Sequence, residues 1–418
     1  QMRKGDFEYY LSEPIIENDC KGVGPFIWAS LEWEARHNID YFPERDLPVA
    51  FEGAEGCGKY TVGGRGGKEY VVTSLADDGS EGTLRHAVEA EGPRTVTFAV
   101  SGDIHLTAPL NIRNPYLSIL GQTAPGKGIT LRDHNVFITA DQVIIRYLRV
   151  RLGTRYGVEA DAMGARHCSN VIIDHCSISW ATDENASFYN FRDATVQWCI
   201  ISEALNSSVH HKGQHGYGGI WGGRNVSFHH NLFAHNNSRN PRFDHPRLYH
   251  GSDLLHNRGT VDFVNNVVYN WGMKAIYGGE EGWFNLIKNY FRPGPATRNL
   301  DGEWLEMSTS ETTSMTPGNF CAYGNEYDIS AVEEGGYEGR KPSKSKIASM
   351  SHHYYWKCQS RPFPISVSMA PKSQYAPYAY KEILKHAGAS KKRDAVDKRI
   401  IKEVKKGKAS FHGSVTGL

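Results

Sequence analysis

The sequence predicts an all-β fold: a right-handed parallel β-helix, a solenoid, with a short N-terminal helical cap and a helical C-terminal tail. Three observations predict it. One short phrase returns six times, as VIIRYLRV from Val143, VIIDHCSI from Val171, VQWCIISE from Val196, VSFHHNLF from Val226, VDFVNNVV from Val261 and FNLIKNYF from Phe284. Each copy is a β-type run of Val, Ile and Phe without helical period. Successive copies start roughly 23 to 35 residues apart, the range of solenoid repeats. Five positions into the phrases stand Leu148, Cys176, Ile201, Asn231, Asn266 and Asn289. Three asparagines at one offset predict an amide ladder along stacked strands, at an inner bend where buried polar groups need partners.

One such unit cannot bury its own apolar face, but a stack of them can. The chain has 418 residues, 39% of them hydrophobic, enough for a large core. Its 43 glycines suit an architecture with many tight bends. A net charge of +1 gives no global field to draw in nucleic acid or any other polyanion. An anionic substrate has to be held by local cations. No stretch of about eighteen apolar residues is present, so no membrane span is expected. A monomer is expected. The seven cysteines form no CxxC pair, and Cys176 and Cys199 fall inside repeats, where buried thiols are expected.

In chain order, residues 1–48 read as an N-terminal extension with one helical stretch near Trp28 to His37. Residues 49–375 form the β-helix domain, with its clear strands running from roughly Thr95 to beyond Gly294. The glycine-rich segment from Phe51 to Gly67 lacks the GKS or GKT of a phosphate cradle and reads as irregular backbone. TLRHAVEAEG, from Thr83 to Gly92, reads as a short amphipathic helix capping the open end of the solenoid. FCAYGNEYD near Phe320 fits one more turn. Residues 376–418 form the tail, read as packed helices with solvated charged faces rather than a polyanion-binding arm.

Two clusters carry the chemistry. The segment from Val158 to Asn185 packs Glu159, Asp161, Asp174, Asp183 and Glu184 into one turn. Turns stack at about 4.8 Å, so acids at matching positions lie side by side. Such crowding is costly unless a cation neutralises it. Carboxylate oxygens without thiolates suit Ca²⁺ rather than zinc. The competing reading is ordinary loop acids with separate arginine partners. The second cluster, from His229 to Gly251, places Arg239, Arg242 and Arg247 just after a strand, in a loop bent by Pro241 and Pro246. Arginine matches carboxylate in a bidentate fork, so a cation site beside these arginines suits an acidic polymer. The alternative is a bent loop with surface arginines. Between the clusters lies HHKGQHGYGGIWGG, with Lys212, His215, Tyr217 and Trp221. Its glycines allow backbone to approach a ligand, and its aromatics either stack on sugars or simply pack.

Taken in order, EADA, NVIIDH, DEN, HHNLF and SRNPR, with GTLRHAV upstream, resemble a pectate lyase of polysaccharide lyase family one. The resemblance covers roughly Phe51 to Gly294. It implies the same β-helix and a secreted, periplasmic or cell-surface Ca²⁺-dependent enzyme. Its substrate would be polygalacturonate, the pectin backbone, cleaved by β-elimination to 4,5-unsaturated oligogalacturonates. By position, Asp161 matches the family's calcium Asp, and Asp183 and Glu184 lie where its remaining calcium carboxylates fall. Asp174 is a weaker ligand candidate. Arg239 matches the first arginine of R-x-P-x-x-R, the Brønsted base. Free guanidinium stays protonated above about pH 12, so neighbouring cations have to lower its proton affinity. The second arginine of that phrase falls on Asp244, a departure, and Arg242 or Arg247 is expected to replace its substrate contact. The family's lysine before the HHN strand has no exact counterpart. Lys212 is nearest, and with His215 and Tyr217 it completes the expected substrate contacts. Two alternatives stand beside this reading: a polygalacturonate hydrolase working through paired acids, and a non-catalytic glycan-binding β-helix, for which Asp244 is the sign.

Overall fold

Each repeat folds into short strands because its apolar residues alternate in and out at period two and break at polar bends. The computed structural model describes residues 47–298, 304–307, 315–328, 330, 361–365 and 371–410. The expected helix near Trp28 to His37 lies outside them. The described strands form sheets of ten, nine and eight strands, called here the first, second and third. Pairing is parallel in all three. Beyond the first turn, neighbours in a sheet are three strands apart in the chain, the topology of a parallel β-helix. The first sheet opens at Lys68–Val72, earlier than expected, and closes at Asn319–Tyr323, where the FCAYGNEYD segment supplies the anticipated extra turn.

Val143, Val171, Val226, Val261 and Phe284 carry the repeats much as the sequence suggested: Val143 pairs with Val171, Val226 with Val261, and Val261 with Phe284. The third copy departs. Val171 pairs with Ala194, and Val196 with Ile173. A two-residue slip leaves the same face inward, so the apolar pattern could not reveal it. The asparagine column therefore continues upstream through Cys199, whose N–H donates to Asn231 Oδ1 at 2.9 Å. Ile201 instead lies in the second sheet, paired with Ile178 and Phe233.

The ladder itself forms and extends to Asn325. Asn231 Nδ2 donates to Asn266 Oδ1 at 3.0 Å, Asn266 Nδ2 to Asn289 Oδ1 at 3.2 Å, and Asn289 Nδ2 to Asn325 Oδ1 at 3.0 Å. Each acceptor also receives a backbone N–H from the turn before, such as Asn231 N to Asn266 Oδ1 at 3.0 Å. The residue preceding each rung turns the corner in the left-handed region, from Tyr147 at φ 55° to Lys288 at φ 52°. Asn266→Ala removes the acceptor of a buried N–H and the donor to Phe228 O. It is expected to cost about 3 kcal/mol or more, read as a lowered denaturant midpoint.

Inside, Val96, Ile119, Ile145, Ile173, Val196, Phe228, Phe263 and Leu286 stack in one register and are all buried. Helix α1 (Leu84–Glu89) is capped by Thr83 and buries Leu84, Ala87 and Val88 against the first turns. The buried Arg94 guanidinium ties it down through Ala87 O at 2.9 Å and Val88 O at 2.7 Å. The glycine-rich segment lies on the outer face of the first sheet, with Gly58 N on Thr195 Oγ1 at 2.8 Å and Gly64 N on Ser118 Oγ at 2.9 Å. A Cβ at Gly64 would stand 1.8 Å from Arg94 O, so its glycines serve close backbone approach rather than a phosphate.

A short helix α2 (Asp253–Asn257) follows the arginine loop. Helices α3 (Ala376–His386) and α4 (Ala395–Lys406) lay Ala379, Ile383, Ile400 and Val404 on Ile200, Leu232, Val267 and Tyr269 of the second sheet. The tail is thus a packed pair of amphipathic helices, as its pattern suggested. Polar anchors fix it: Arg151 meets Asp394 at 2.9 Å and Asp397 at 3.0 Å, and His235 meets Glu403 at 3.2 Å. Burial raises the Glu403 carboxyl, but His235, Ser410 and Arg399 outweigh it and hold the group at about 2. A depressed carboxyl stabilises docking fully above its ordinary value of 4.5 and loses that contribution as pH falls toward 2. Amides of α3 and α4 should therefore lose hydrogen-exchange protection across this acid window before those of the ladder. Among the described residues no helix is long and apolar enough to cross a membrane. Cys176 and Cys199 are buried thiols, as expected.

Candidate active site

The bends leading into the third sheet build the site, one turn upon the next. Met163 pairs with Ala186, so Asp161 and Glu184, each two residues earlier, fall beside one another. Glu184 bridges to Tyr217 and Tyr217 to Ser238, which carries Arg239 to the same edge. Carboxylate oxygens of Asp161, Asp183 and Glu184 all lie within 4.8 Å of one another, and Asp161 Oδ1 also accepts the Glu184 N–H at 3.3 Å. Burial pushes the Asp161 carboxyl up to about 6; Arg166 draws it down and Asp183 adds to the rise. These are hard oxygen donors crowded enough to favour a divalent cation, and the set fits Ca²⁺.

Two arginines neutralise the trio. Arg166 Nη2 stands 3.3 Å from Asp161 Oδ2. Arg239 Nη1 forms a tight ion pair with Glu184 Oε1. The Arg239 guanidinium also lies over the Tyr217 ring at 4.5 Å, and its Nε donates to Tyr277 Oη at 3.3 Å. Arg239 holds φ at 55°, uncommon for a non-glycine residue.

His215 Nε2 sits 2.6 Å from Asp183 Oδ1. Burial lowers the His215 pKa; Asp183 opposes that and His210 and Lys212 reinforce it, and the ring packs directly against Asp183. His210 stacks on His215 at 3.9 Å and places its Nε2 3.2 Å from Glu159 Oε1. Its Nδ1 accepts the Lys212 N–H at 3.1 Å. A metal-bound imidazole needs a proton on that nitrogen, so His210 fits a hydrogen-bond donor and not a metal ligand. The Lys212 side chain is exposed on the same loop.

Of the other expected residues, Arg242 points outward from the strand Arg242–Phe243, next to Tyr277 in register and 3.6 Å from Glu280. Arg247 stands exposed in the turn Pro246–Leu248, beyond the opposite end of that strand from Arg239. Asp174 belongs to the first sheet, bonded to Arg146 and Gln197 at 2.7 Å each, apart from the trio. Trp221 is fully buried against Phe228 at 4.4 Å. Asp244, the departure from the family phrase, is buried and structural: it accepts from Tyr249 Oη and from Gly223 N at 3.1 Å, and faces Arg258 at 3.4 Å.

Sequence reasoning missed Arg166 and Tyr277. Third-sheet strands such as Ile220–Trp221 are two or three residues long, too short for periodicity to mark which side chains face outward. Aligning the strands themselves turn by turn, which sets Tyr277 beside Arg242 and leaves Arg166 just past Met163–Ala165, was the signal that could have found them.

Probable pectate lyase C of Aspergillus flavus is 36% identical over 370 residues, covering 85% of this chain and 77% of that protein. The protein of the same name from Neosartorya fischeri is 36% identical over 374 residues with the same coverage. Among solved structures, the cedar pollen allergen Jun a 1 matches 82% of this chain and 99% of its own at a TM-score of 0.58 and 17% identity. A pectate lyase bound to hexasaccharide matches 83% of this chain and 99% of its own at 0.54 and 12%. Identities this low speak for the fold alone. No family model matches the chain. The fungal relatives, aligned across most of both sequences, decide the matter: the chain belongs to the pectate lyase family.

Proposed function

We propose that the protein is a Ca²⁺-dependent pectate lyase that cleaves polygalacturonate by β-elimination. The observation that carries this reading is the acidic trio Asp161, Asp183 and Glu184 with the Arg239 guanidinium against Glu184. Asp161, Asp183 and Glu184 would hold the ion, and His215 keeps Asp183 in place. A bound Ca²⁺ supplies positive charge beside the galacturonate carboxylate, which makes the C5 proton more acidic. Arg239 must leave its ion pair with Glu184 and give one guanidinium proton to solvent before the freed nitrogen can accept the C5 proton. The C5–H electron pair forms the C4=C5 double bond, the C4–O4 bond breaks, and water protonates the leaving O4. Tyr217 beneath the guanidinium and Tyr277 on its Nε keep Arg239 at this edge. Lys212 and Arg242 grip flanking carboxylates.

The size of polygalacturonate, which does not cross a membrane unaided, supports a secreted, periplasmic or cell-surface enzyme. Incubation with polygalacturonate and Ca²⁺ followed by mass analysis tests the reaction class. Products one water lighter than hydrolysis products are expected. Fully hydrated products would mean a hydrolase, and binding without products a glycan-binding protein.

A further inference from the structure

Arg166 belongs to no substrate contact assigned above. It follows the third-sheet strand Met163–Ala165, one turn before Glu184. Its guanidinium lies 4.2 Å from the Tyr189 ring centre and 5.2 Å from that of Phe137. Phe137 faces outward, half-buried, between the inward Val136 and Ile138. Gly164 pairs with Phe137, and a Cβ there would meet the ring at 2.9 Å, so the ring lies flat across the strand. Two rings and a guanidinium thus form one outward platform beside Asp161.

The hydrogen bonding of Arg166 is incomplete. Among the described residues its side chain donates only to Asp161, at a long 3.3 Å, and its Nε finds no acceptor. The side chain remains 22% exposed. A guanidinium has five donors in a planar fork matched to carboxylate, so most of that capacity is unspent. Its single partner is also one of the three carboxylates a cation would claim. The neighbouring aromatic faces suit a sugar ring, with Arg166 placed for the acid group at its rim.

We infer that Arg166 is a uronate-binding residue, taking a carboxylate of the polymer on the Phe137–Tyr189 platform and exchanging Asp161 for it when a divalent cation occupies Asp161. This rests on the polygalacturonate reading. Arg239 reaches the trio through Glu184 and Arg166 through Asp161, so the two guanidinium groups meet different carboxylates of one chain.

Arg166→Ala and Arg166→Lys test it with two titrations by calorimetry and with steady-state kinetics. Arg166→Ala should weaken polygalacturonate binding, and raise KM, roughly tenfold or more, the value of one charge-assisted hydrogen bond. Its kcat should stay within about twofold. Arg166→Lys should recover part of the affinity. Ca²⁺ titrated without substrate should bind Arg166→Ala more tightly than wild type, because Asp161 has lost its internal counter-ion. Unchanged polymer affinity, or weaker Ca²⁺ binding with a fall in kcat, would overturn the inference and make Arg166 only a support for Asp161. Failure of the wild type to form unsaturated product would strike the lyase reading instead, and the polymer titration would still decide the role of Arg166.

Discussion

Arg239→Lys should lower kcat by roughly two to four orders of magnitude, the usual scale for losing a positioned general base, while KM for polygalacturonate hardly moves. Lysine keeps a cation for Glu184, which is almost wholly buried, so the variant avoids an uncompensated buried charge. What it loses is the planar fork that spans Glu184, the Tyr217 ring and Tyr277 at once. An interaction made only in the transition state is lost from kcat and kcat/KM together. Arg242→Ala supplies the contrast: its guanidinium faces Tyr277 and Glu280 rather than the trio, and its effect should fall on KM. Near-normal kcat in Arg239→Lys would move the base elsewhere, with Lys212, His215 and Tyr217 next in line.

Asp161→Asn should reduce turnover at low calcium on the order of a hundredfold or more, with partial rescue as calcium is raised. Calcium sites set affinity largely by ligand charge, and this change removes one of three carboxylates within 4.8 Å. The amide can still accept the Glu184 N–H that Asp161 Oδ1 now accepts, so the bend keeps its shape. It also removes a carboxyl that burial already pushes toward neutrality, so thermal stability should hold or rise. Measuring rate against calcium concentration separates the roles. A shifted calcium requirement with recoverable kcat identifies a ligand, and an unchanged requirement would remove Asp161 from the cation site.

The parts of this molecule that could be read from the sequence are those encoded by a repeating chemistry. Val, Ile and Phe at matched offsets mark the first sheet because its strands are four to six residues long and one face is buried. The Asn231, Asn266 and Asn289 rungs stood out because only a shared bend makes three asparagines recur. Asn325 continues the same rung. The misplaced rung at Ile201 has a physical cause: a slip of two residues preserves the inward face, and Cys199 offers its sulfur to Cys176 N at 3.4 Å where an asparagine would offer oxygen.

The site was legible where charges cluster within one segment, as in Asp161, Asp183 and Glu184. Partners delivered by other turns were not. Tyr277 reaches Arg239 from 38 residues away, and Arg166 reads as a loop residue until its guanidinium is seen over Tyr189 and Phe137. Asp244 shows the converse. In the sequence it looks like a lost substrate contact, but in the fold it ties Tyr249 and Arg258 to the strand, and so gives no reason to doubt catalysis.

The most direct test follows ultraviolet absorbance of the unsaturated product while wild-type protein acts on polygalacturonate, first with Ca²⁺ and then with excess chelator. Calcium-dependent β-elimination predicts a steady rise that stops on chelation and resumes when calcium is restored, with the fold unchanged throughout. A rise that continues in excess chelator, or no rise under any calcium concentration while the polymer is shortened, would contradict it.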